Sequence, residues 1–471
     1  MKRCYPGNIE TVSASARLLE RYHASIVITT GQRIVLCGIA LALAVLILWD
    51  YVYALLAINL VICLFYCVIT VFKLALLAAS YAMPPPAQPD GADSDRAGTA
   101  MPIYTVLVPM YREANMVEPF LAHLERMDYP RDRLDVKLLL EPDDDETIAA
   151  ARAITPAFPH AIILSPESGP RTKPRACNAG LEQARGEFLV IYDAEDRPEP
   201  DQLRKAVKAF DATEPRTACL QCHLDYYNPC QNWLTRSFTV EYACWFRLFL
   251  PGLHRLGLPI PLGGTSNHFR TSILKDLGGW DAYNLTEDCE LGMRLHAAGW
   301  RTAILDSTTW EEANSRVGNW LRQRSRWCKG YLQTLLAYTR CPLATARLLG
   351  ARGFLGFLAT VGGFTAMILL NPVYWIIACL HVAFRWRLWY PGNPVSLVFA
   401  TISVALAAGN IVFVAANLLA VRRRGGAGLV MAALLSPFYW ILISIGAWKG
   451  LLQLCTKPFY WEKTRHGLCP T

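Results

Sequence analysis

The stretch Glu187–Pro200, EFLVIYDAEDRPEP, places three carboxylates directly after a short apolar run. The apolar run predicts a buried β-strand, because β-branched and aromatic residues favour strands. The carboxylates of Asp193, Glu195 and Asp196 stand two or three residues apart at its end. Hard oxygen ligands of this kind suit Mg²⁺ or Mn²⁺. The stretch therefore predicts a metal site at a strand end, of a type that would accept a diphosphate ligand.

Similar apolar runs alternate with charged, helix-forming segments from Met101 to about Arg340. This alternation predicts an α/β domain with a largely parallel sheet. Ligands of such sheets gather at the carboxyl ends of the strands. The other predicted strands are YTVLVP, DVKLLLE, HAIILS and RTAILD.

Two further acidic clusters lie in the same domain. LLLEPDDDET carries Glu141 and Asp143 after a strand, and GGWDAYNLTEDCELG carries Glu287 and Asp288. A solvated acidic turn is the ordinary interpretation of any one cluster. Three clusters in one α/β domain, with one directly after a buried strand, favour a ligand site instead.

Cations that could meet a diphosphate are also present. GPRTKPRACNAGL contains Arg171, Lys173 and Arg175, and Arg326 lies further along the chain. Arginine binds phosphate oxygens through a bidentate fork. No glycine-rich loop leads into Lys-Ser or Lys-Thr, so the sequence argues against ordinary ATP phosphoryl transfer.

The remainder of the 471 residues is strongly apolar, with 53% hydrophobic and 18% charged residues overall. Ile34 to Ala79 has room for two transmembrane helices, and the basic residues ahead of it predict a cytoplasmic N-terminus. The net charge of +8 is spread over membrane flanks, so we expect lipid and phosphate contacts and no nucleic acid. The 15 cysteines are expected to be reduced thiols.

Three apolar blocks follow the α/β domain: Gly353 to Phe384, Val395 to Val421 and Gly428 to Leu454. The first is interrupted at Asn371-Pro372, which predicts either two short spans or one span plus an interfacial segment. Basic flanks favour four C-terminal spans over three, hence six in all, and this count places Arg422 to Arg424 on the outside. The predicted organisation is an arm with two spans at 1–83, a linker at 84–100, the α/β domain with interfacial helices at 101–345, a membrane region at 346–455 and a tail at 456–471.

The segment Asn319–Thr334, NWLRQRSRWCKGYLQT, joins the α/β domain to this membrane region. On a helix, Gln323, Arg326 and Trp327 share one face, with Trp320 one turn earlier. Such a face could anchor the helix at the lipid interface, or it could bind a ligand that is both apolar and anionic. The acidic clusters favour the ligand.

In sequence and order, the motifs VPMYREAN, EPDDDET, KPRACNAGL, YDAED, GGTSNHFR, TEDCELG and QRSRW resemble the processive inverting glycosyltransferases of family 2, the relatives of bacterial cellulose and hyaluronan synthases. The resemblance covers Tyr104 to Thr334, and the tail PFYWEKTRHG resembles those of bacterial exopolysaccharide and β-glucan synthases. It implies a GT-A type cytoplasmic α/β domain inserted between α-helical transmembrane segments of a bacterial inner (plasma) membrane protein.

The resemblance also implies roles for individual residues. Asp288 would be the catalytic base beside Glu287, and Asp193 would hold the metal with Glu195 or Asp196. The donor nucleotide and diphosphate would contact Pro109, Tyr111, Glu113, Glu141, Asp143, Lys173, Asn178 and Arg326, and the acceptor would contact Thr265, Gln323 and Trp327.

The implied function is processive β-glycosyl transfer from a UDP-sugar, with UDP-glucose and a β-glucan product expected. A UDP-N-acetylglucosamine polymer synthase, a non-processive lipid-linked sugar transferase and a non-catalytic partner subunit are the alternatives. The implied partners are the donor, the growing β-glycan chain, membrane lipids, and secretion or regulatory proteins.

Overall fold

The computed structural model describes residues 18–82, 101–154, 158–167, 169–383, 394–464 and 467. The predicted linker at 84–100 and the first 17 residues of the arm lie outside this description. The chain has two regions, the central domain (101–345) and the apolar helices that flank it.

An eight-stranded sheet forms the centre of the central domain, in the order β3-β2-β1-β4-β7-β6-β8-β5. Strand β1 alternates between two cores, with Val106 and Val108 packed on one face and Leu107 on the other. The strands are β1 (Tyr104–Met110), β2 (Leu134–Leu140), β3 (Ala161–Leu164), β4 (Phe188–Ile191), β5 (Arg197–Pro198), β6 (Thr217–Tyr226), β7 (Asn267–Arg270) and β8 (Arg301–Glu311).

The sheet is mixed, whereas the sequence predicted a largely parallel one. Strand β7 pairs antiparallel with both β4 and β6, and β5 pairs antiparallel with β8. Strands β1 to β4 are parallel to their neighbours within that group, and β6 is parallel to β8. Because β7 reverses direction between two groups, β6 and β8 run in the same direction as β4. The carboxyl ends of strands β1–β4, β6 and β8 therefore lie at one edge of the sheet. The sequence predicted the ligand site at this edge.

Helices cover both faces of the sheet. The helices of the central domain are α3 (Ala114–Leu124), α4 (Asp145–Ile154), α5 (Lys173–Glu182), α6 (Gln202–Ala212), α7 (Trp233–Cys244), α8 (Leu250–Arg255), α9 (Thr271–Asp276), α10 (Glu287–Ala297) and α11 (Val317–Tyr338). Helix α11 carries the NWLRQRSRWCKGYLQT segment and continues the chain toward the apolar region.

Two apolar helices precede the central domain, α1 (Thr30–Trp49) and α2 (Tyr51–Ala82). After it come α12 (Pro342–Phe357), α13 (Phe364–Ala383), α14 (Pro394–Arg424), α15 (Val430–Leu434) and α16 (Ser436–Thr456). By length and hydropathy, five helical segments among the described residues could cross a membrane, where six crossings were predicted.

The break predicted at Asn371-Pro372 does not occur, because α13 continues through Pro372. The Tyr66 hydroxyl of α2 donates a hydrogen bond to Asn371 beside it. The chain bends earlier, at Gly350 within α12, where φ is 71°. Helix α12 packs against the central domain, since Gly353 lies against His296 of α10. By length and hydropathy, residues Pro342–Val373 form a single candidate span.

The arginine run that ends α14 also differs from the six-span expectation. Arg424 donates two hydrogen bonds to buried Asp225 at the end of β6, at 2.9 and 2.8 Å. Arg423 donates to the Ser80 hydroxyl at the end of α2, at 2.7 Å. The run therefore lies against the central domain and not on the opposite side.

Candidate active site

One cavity of about 840 Å³ opens at the carboxyl edge of the sheet. Its lining includes loops that follow β1, β2, β4 and β8, the start of α10, one face of α11 and parts of the apolar helices. Most of the residues that the sequence singled out border this space: Pro109, Tyr111, Glu113, Glu141, Lys173, Asp193, Glu195, Thr265, Glu287, Asp288, Gln323, Arg326 and Trp327.

Lys173 is the central cation of the cavity. Its Nζ donates to Asp193 Oδ1 and, at 2.8 Å, to the carbonyl oxygen of Gly264. Burial disfavours the charged lysine, but the carboxylates of Asp193 and Glu287 outweigh that effect and raise its pKa. Asp288 lies on the other side of Gly264, because a Cβ on that glycine would stand 3.4 Å from Asp288 Oδ2. One ammonium group thus links the two main acidic clusters.

Glu287 and Asp288 begin α10, where unpaired backbone N–H groups favour negative charge. Burial, opposed by a 2.7 Å hydrogen bond from the Cys289 backbone N–H to Asp288 Oδ1, raises the pKa of Asp288 to about 6. Burial and the neighbouring Asp288 raise the pKa of Glu287 to about 8. The adjacent carboxyls titrate as a pair, and the hydrogen bond from Cys289 favours the ionised form of Asp288.

The position of this pair depends on a close contact between α10 and α11. Gly330 of α11 lies against Thr286, and a Cβ at position 330 would come within 2.5 Å of the Thr286 hydroxyl oxygen and 2.6 Å of its backbone nitrogen. Only glycine permits this approach. Helix α11 therefore holds the start of α10 beside the cavity.

The three predicted metal ligands do not converge. Asp196 is 1% exposed, and its Oδ2 accepts hydrogen bonds from the Asp193 backbone N–H at 2.7 Å and from the Thr265 hydroxyl. Asp196 thus closes the loop, and burial with its acidic neighbours raises its pKa well above the usual value. Only Asp193 and Glu195 of the three border the cavity, and the described residues contain no cluster of three or more His, Cys, Asp or Glu side chains arranged to hold a metal ion.

Glu311 is a cavity residue that the sequence reasoning missed. It ends β8 and borders the same space. Burial raises its pKa well above the usual value, with further contributions from Asp196 and Glu195. The sequence contained a signal for this residue, because Glu311 follows the run STTW and is a carboxylate at the end of a predicted strand.

The predicted nucleotide-binding residues divide into two groups. Pro109, Tyr111, Glu113 and Glu141 border the cavity, and Arg175 makes a buried ion pair with Glu141 at 2.6 Å. Asp143 does not border it and pairs instead with Arg171 at 2.7 Å on the surface.

Asn178 also points away from the cavity. Its side chain forms two hydrogen bonds with the backbone of Trp280, both at 2.8 Å, and so fixes the loop before α10. Asn178 therefore holds this loop in place and does not make the contact with the donor that the sequence predicted.

Helix α11 presents Gln323, Arg326 and Trp327 to the cavity, as their spacing predicted. Trp327 stacks on Tyr242 with ring centroids 6.2 Å apart. Trp320 does not join this face, since it is fully buried between Phe238 and Tyr439. An aromatic surface and a cation thus stand side by side next to the acidic clusters.

The segment Lys457–Thr464 after α16, called the C-terminal segment below, covers part of the cavity. Arg326 donates to the Glu462 carbonyl at 3.1 Å and to the Thr464 hydroxyl at 3.2 Å, and its guanidinium lies 4.4 Å from the Trp461 ring centroid. Lys463 Nζ reaches Glu113 Oε1 at 3.6 Å. The segment therefore contacts both the α11 face and the nucleotide-side residues.

The Glu462 side chain fixes this segment to the rest of the protein. It accepts hydrogen bonds from Lys449 at 2.8 Å, from Gln453 at 3.1 Å and from Ser325 at 3.3 Å. Burial acts to raise the pKa of the Glu462 carboxyl, but these donors outweigh burial and lower that pKa.

The cavity continues beyond Trp327 into the apolar helices. Its lining there includes Lys73 from α2, Phe364 to Asn371 from α13 with Thr360 and Val361 just before it, and Gly409 to Asn417 from α14. At ~1.5 Å of rise per residue, the portion along α13 is about 10 Å long, roughly a third of the thickness of a bilayer hydrocarbon core. One space therefore joins the acidic clusters to the interior of the helix bundle.

The mixed sheet, the acidic loops at its carboxyl edge and the neighbouring cation define a glycosyltransferase domain of the GT-A type. Residues 102–330 match the family described as "Glycosyltransferase like family 2". This part of the chain is thus similar to that family, and the helices that flank it are long and apolar enough to cross a membrane.

Three curated relatives are similar over this domain. They are the "Probable glycosyltransferase YdaM" of Bacillus subtilis (26% identical over 50% of this chain and 57% of the relative), the "Beta-monoglucosyldiacylglycerol synthase" of Synechocystis (27%, over 52% and 51%) and the "Probable glucomannan 4-beta-mannosyltransferase 7" of Oryza sativa (25%, over 51% and 42%). The chain thus matches about half the length of these relatives. Among solved structures, the mannosyltransferase PcManGT of Pyrobaculum calidifontis, in complex with GDP-Man and Mn²⁺, is 19% identical with a TM-score of 0.47, over 82% of this chain and 99% of that one.

Proposed function

We propose that this protein is a membrane-embedded, inverting and processive glycosyltransferase that builds a β-glucan from UDP-glucose. The observation that carries the proposal is the single cavity that runs from Asp193 and Asp288, past Trp327, into the apolar helices. A polar chain crosses lipid only inside protein, so a synthase that exports its product needs such a connection.

The transfer step needs one base. Asp288 accepts the proton of the acceptor hydroxyl, whose oxygen forms a bond to the anomeric carbon of the donor. The bond from that carbon to the diphosphate oxygen breaks, and UDP leaves with the electron pair. A single in-line displacement inverts the configuration, so an α-linked donor gives a β-linked product.

Lys173 and Arg326 are assigned to the departing diphosphate, because both are half-buried cations that border the cavity near the acidic loops. Asp193 and Glu195 would hold Mg²⁺ or Mn²⁺, and the oxygen-only donor pair suits either ion. Such an ion, when bound, neutralises charge on the leaving group. Asp196 is assigned to the loop, since Thr265 and the Asp193 backbone occupy its Oδ2.

The acceptor would lie against Trp327. Its indole offers a flat apolar face for the terminal sugar, and Gln323, whose side-chain oxygen accepts a 2.8 Å hydrogen bond from Asn314, can turn its amide N–H groups to sugar hydroxyls. UDP-N-acetylglucosamine remains the alternative donor. Transfer of a single sugar to a lipid acceptor is the second candidate function, because one relative is a β-monoglucosyldiacylglycerol synthase by its name.

The test is reconstitution of the purified protein in lipid vesicles with radiolabelled UDP-glucose or UDP-N-acetylglucosamine, supplied separately. We expect a long product from UDP-glucose that linkage-specific β-glucanases digest, and loss of synthesis in a chelator that Mg²⁺ or Mn²⁺ restores. A labelled lipid as the sole product would replace the processive proposal with single-sugar transfer, and full activity in the chelator would remove the metal.

A further inference from the structure

The loop that precedes the proposed base has no regular secondary structure. Residues 280–286, called the base loop below, lead into α10, whose second residue is Asp288. Asp281 in the first half of the loop is 1% exposed, and its carboxylate accepts hydrogen bonds from the backbone N–H groups of Ala24 at 2.6 Å and Tyr283 at 3.0 Å. Because no helix or sheet fixes this backbone, its position depends on the side chains that bond it.

Two consecutive residues of α11 hold the second half of the base loop. Gln333 is 2% exposed, and its side-chain oxygen accepts a 3.1 Å hydrogen bond from the Leu285 backbone N–H. Its side-chain nitrogen donates to the Tyr283 carbonyl oxygen at 3.5 Å. The fully buried Thr334 hydroxyl accepts a 2.9 Å hydrogen bond from the side-chain nitrogen of Asn284. Helix α11 therefore fixes the backbone just ahead of the base.

Gln333 also bonds the C-terminal segment. Its side-chain nitrogen donates a second hydrogen bond, of 3.2 Å, to the Pro458 carbonyl oxygen. The Phe459 ring packs edge-on against the Tyr283 ring, with centroids 5.5 Å apart. A glutamine amide has two N–H donors and one oxygen, and all three form hydrogen bonds here. One buried side chain thus links the base loop to the C-terminal segment.

We propose that Gln333 is a positioning residue for the transfer step, which couples the base loop to the C-terminal segment. While the segment is bound, the Pro458 carbonyl fixes the direction of the Gln333 amide, so that the amide oxygen meets the Leu285 N–H. When the segment detaches, the amide loses this partner and its bond to Leu285 weakens, because the bonds of one buried network support each other. Asp288 is then fully in place only while the segment covers the cavity. The proposal rests on the proposed function only in taking Asp288 as the base.

The test is a double-mutant cycle, read by hydrogen exchange of residues 283–286 in the purified full-length protein in lipid nanodiscs. Gln333→Met keeps the length of the side chain and removes its hydrogen bonds, so exchange of these residues should rise on the order of tenfold, the effect of about one net hydrogen bond. Glu462→Ala, which releases the segment, should raise the same exchange in an otherwise wild-type protein. In Gln333→Met it should add less than about twofold, because the link is already broken.

Thr334→Val is the matched control, because it removes the neighbouring bond from Asn284 and leaves the bond to Pro458 in place. Glu462→Ala should keep its full effect on exchange in this background. Equal increments in all three backgrounds would overturn the coupling. Elution volumes and melting temperatures check that the variants fold. If Gln333→Met does not fold, Glu462→Ala alone decides, since unchanged exchange of residues 283–286 in that variant would also overturn the coupling.

Kinetics separate a positioning role from a merely structural one. In Gln333→Met, the turnover number for UDP release from UDP-glucose should fall on the order of tenfold, while the KM for the donor stays within about threefold of wild type, because the change acts on the base and not on donor contacts. An effect confined to KM would contradict the positioning role. A wild-type protein that releases no UDP from UDP-glucose would defeat the proposed function, whereas the exchange cycle needs no donor and would still decide the coupling.

Discussion

At the scale of single residues, Glu287 and Asp288 are adjacent carboxyl groups that titrate as a pair. Burial raises the pKa of Asp288 to about 6 and that of Glu287 to about 8, and the hydrogen bond from the Cys289 backbone N–H opposes the rise at Asp288. This hydrogen bond favours the ionised form of Asp288, which suits its proposed role as the base.

Replacing the base should stop transfer without loss of the donor. Asp288→Asn keeps the shape of the side chain but cannot take up the proton, so transfer should decrease by about 10² or more. In wild type, transfer should fall as pH decreases through about 6, because protonated Asp288 is inactive. Radiolabelled transfer across a pH series and UDP-sugar binding by calorimetry measure the two effects.

The matched control is Asp306→Asn, a carboxylate of β8 whose side chain is 62% exposed. It should transfer sugar at the wild-type rate. Transfer by Asp288→Asn within a few-fold of wild type would show that another group takes the proton.

The placement of single residues at the cavity was predictable from sequence where a motif fixes the backbone, and the direction of a side chain was not. The positions of Asp288, Lys173 and Trp327 at one cavity followed from strand ends and helix spacing. Asp196 follows β4 and Asn178 lies on α5, but their side chains bond Thr265 and Trp280 and do not face the cavity. Nothing in the spacing of YDAED or KPRACNAGL specifies which side chain closes a loop and which faces a ligand.

At the scale of elements, the C-terminal segment brings residues far apart in sequence onto one cavity. Its contacts with α11 and with Glu113 have no local sequence signal, because they depend on where α16 ends. Gly330 illustrates the same limit, since its contact with Thr286 requires glycine only after the two helices have been placed.

Releasing the segment should weaken donor binding. Glu462→Ala removes the acceptor of three hydrogen bonds, from Lys449, Gln453 and Ser325, so the segment should detach from the cavity. We expect the KM for the UDP-sugar to increase on the order of tenfold, because one or two net hydrogen bonds are lost. Kinetics and hydrogen exchange of residues 458–464 measure the effect.

Glu214→Gln, which alters an exposed pair with Arg301, is the control and should change neither quantity. If exchange of the segment rises while KM is unchanged, the segment does not contribute to donor binding.

At the scale of the whole molecule, the ends of several apolar helices lie against the central domain. The ends of α2 and α14 meet at the central domain through Ser80 and Arg423. Helix α16 is long and apolar enough to cross, yet Tyr439 near its start bonds Glu241 of the central domain, and Gly450 near its end lies against Ser325. Hydropathy alone does not reveal contacts of this kind.

This arrangement can be tested with a split fluorescent-protein tag inserted into short turns. A tag at Gly426, between α14 and α15, should be complemented by a reporter on the side of the central domain, because Arg424 is bound to Asp225 there. A tag at Asp50, between α1 and α2, should be silent to that reporter, since each helix is long enough to cross. Complementation at Asp50 but not at Gly426 would reverse the assignment.

The cavity shared by the transfer site and the helix bundle has a statistical consequence under the proposed function. After each addition, the chain either receives another sugar or dissociates, so chain lengths should follow a geometric distribution whose mean is the ratio of the two rates. Dilute donor would lower only the first rate and yield shorter chains. A change in the bundle that acted on the second rate alone would alter the average polymer size and leave the turnover number unchanged.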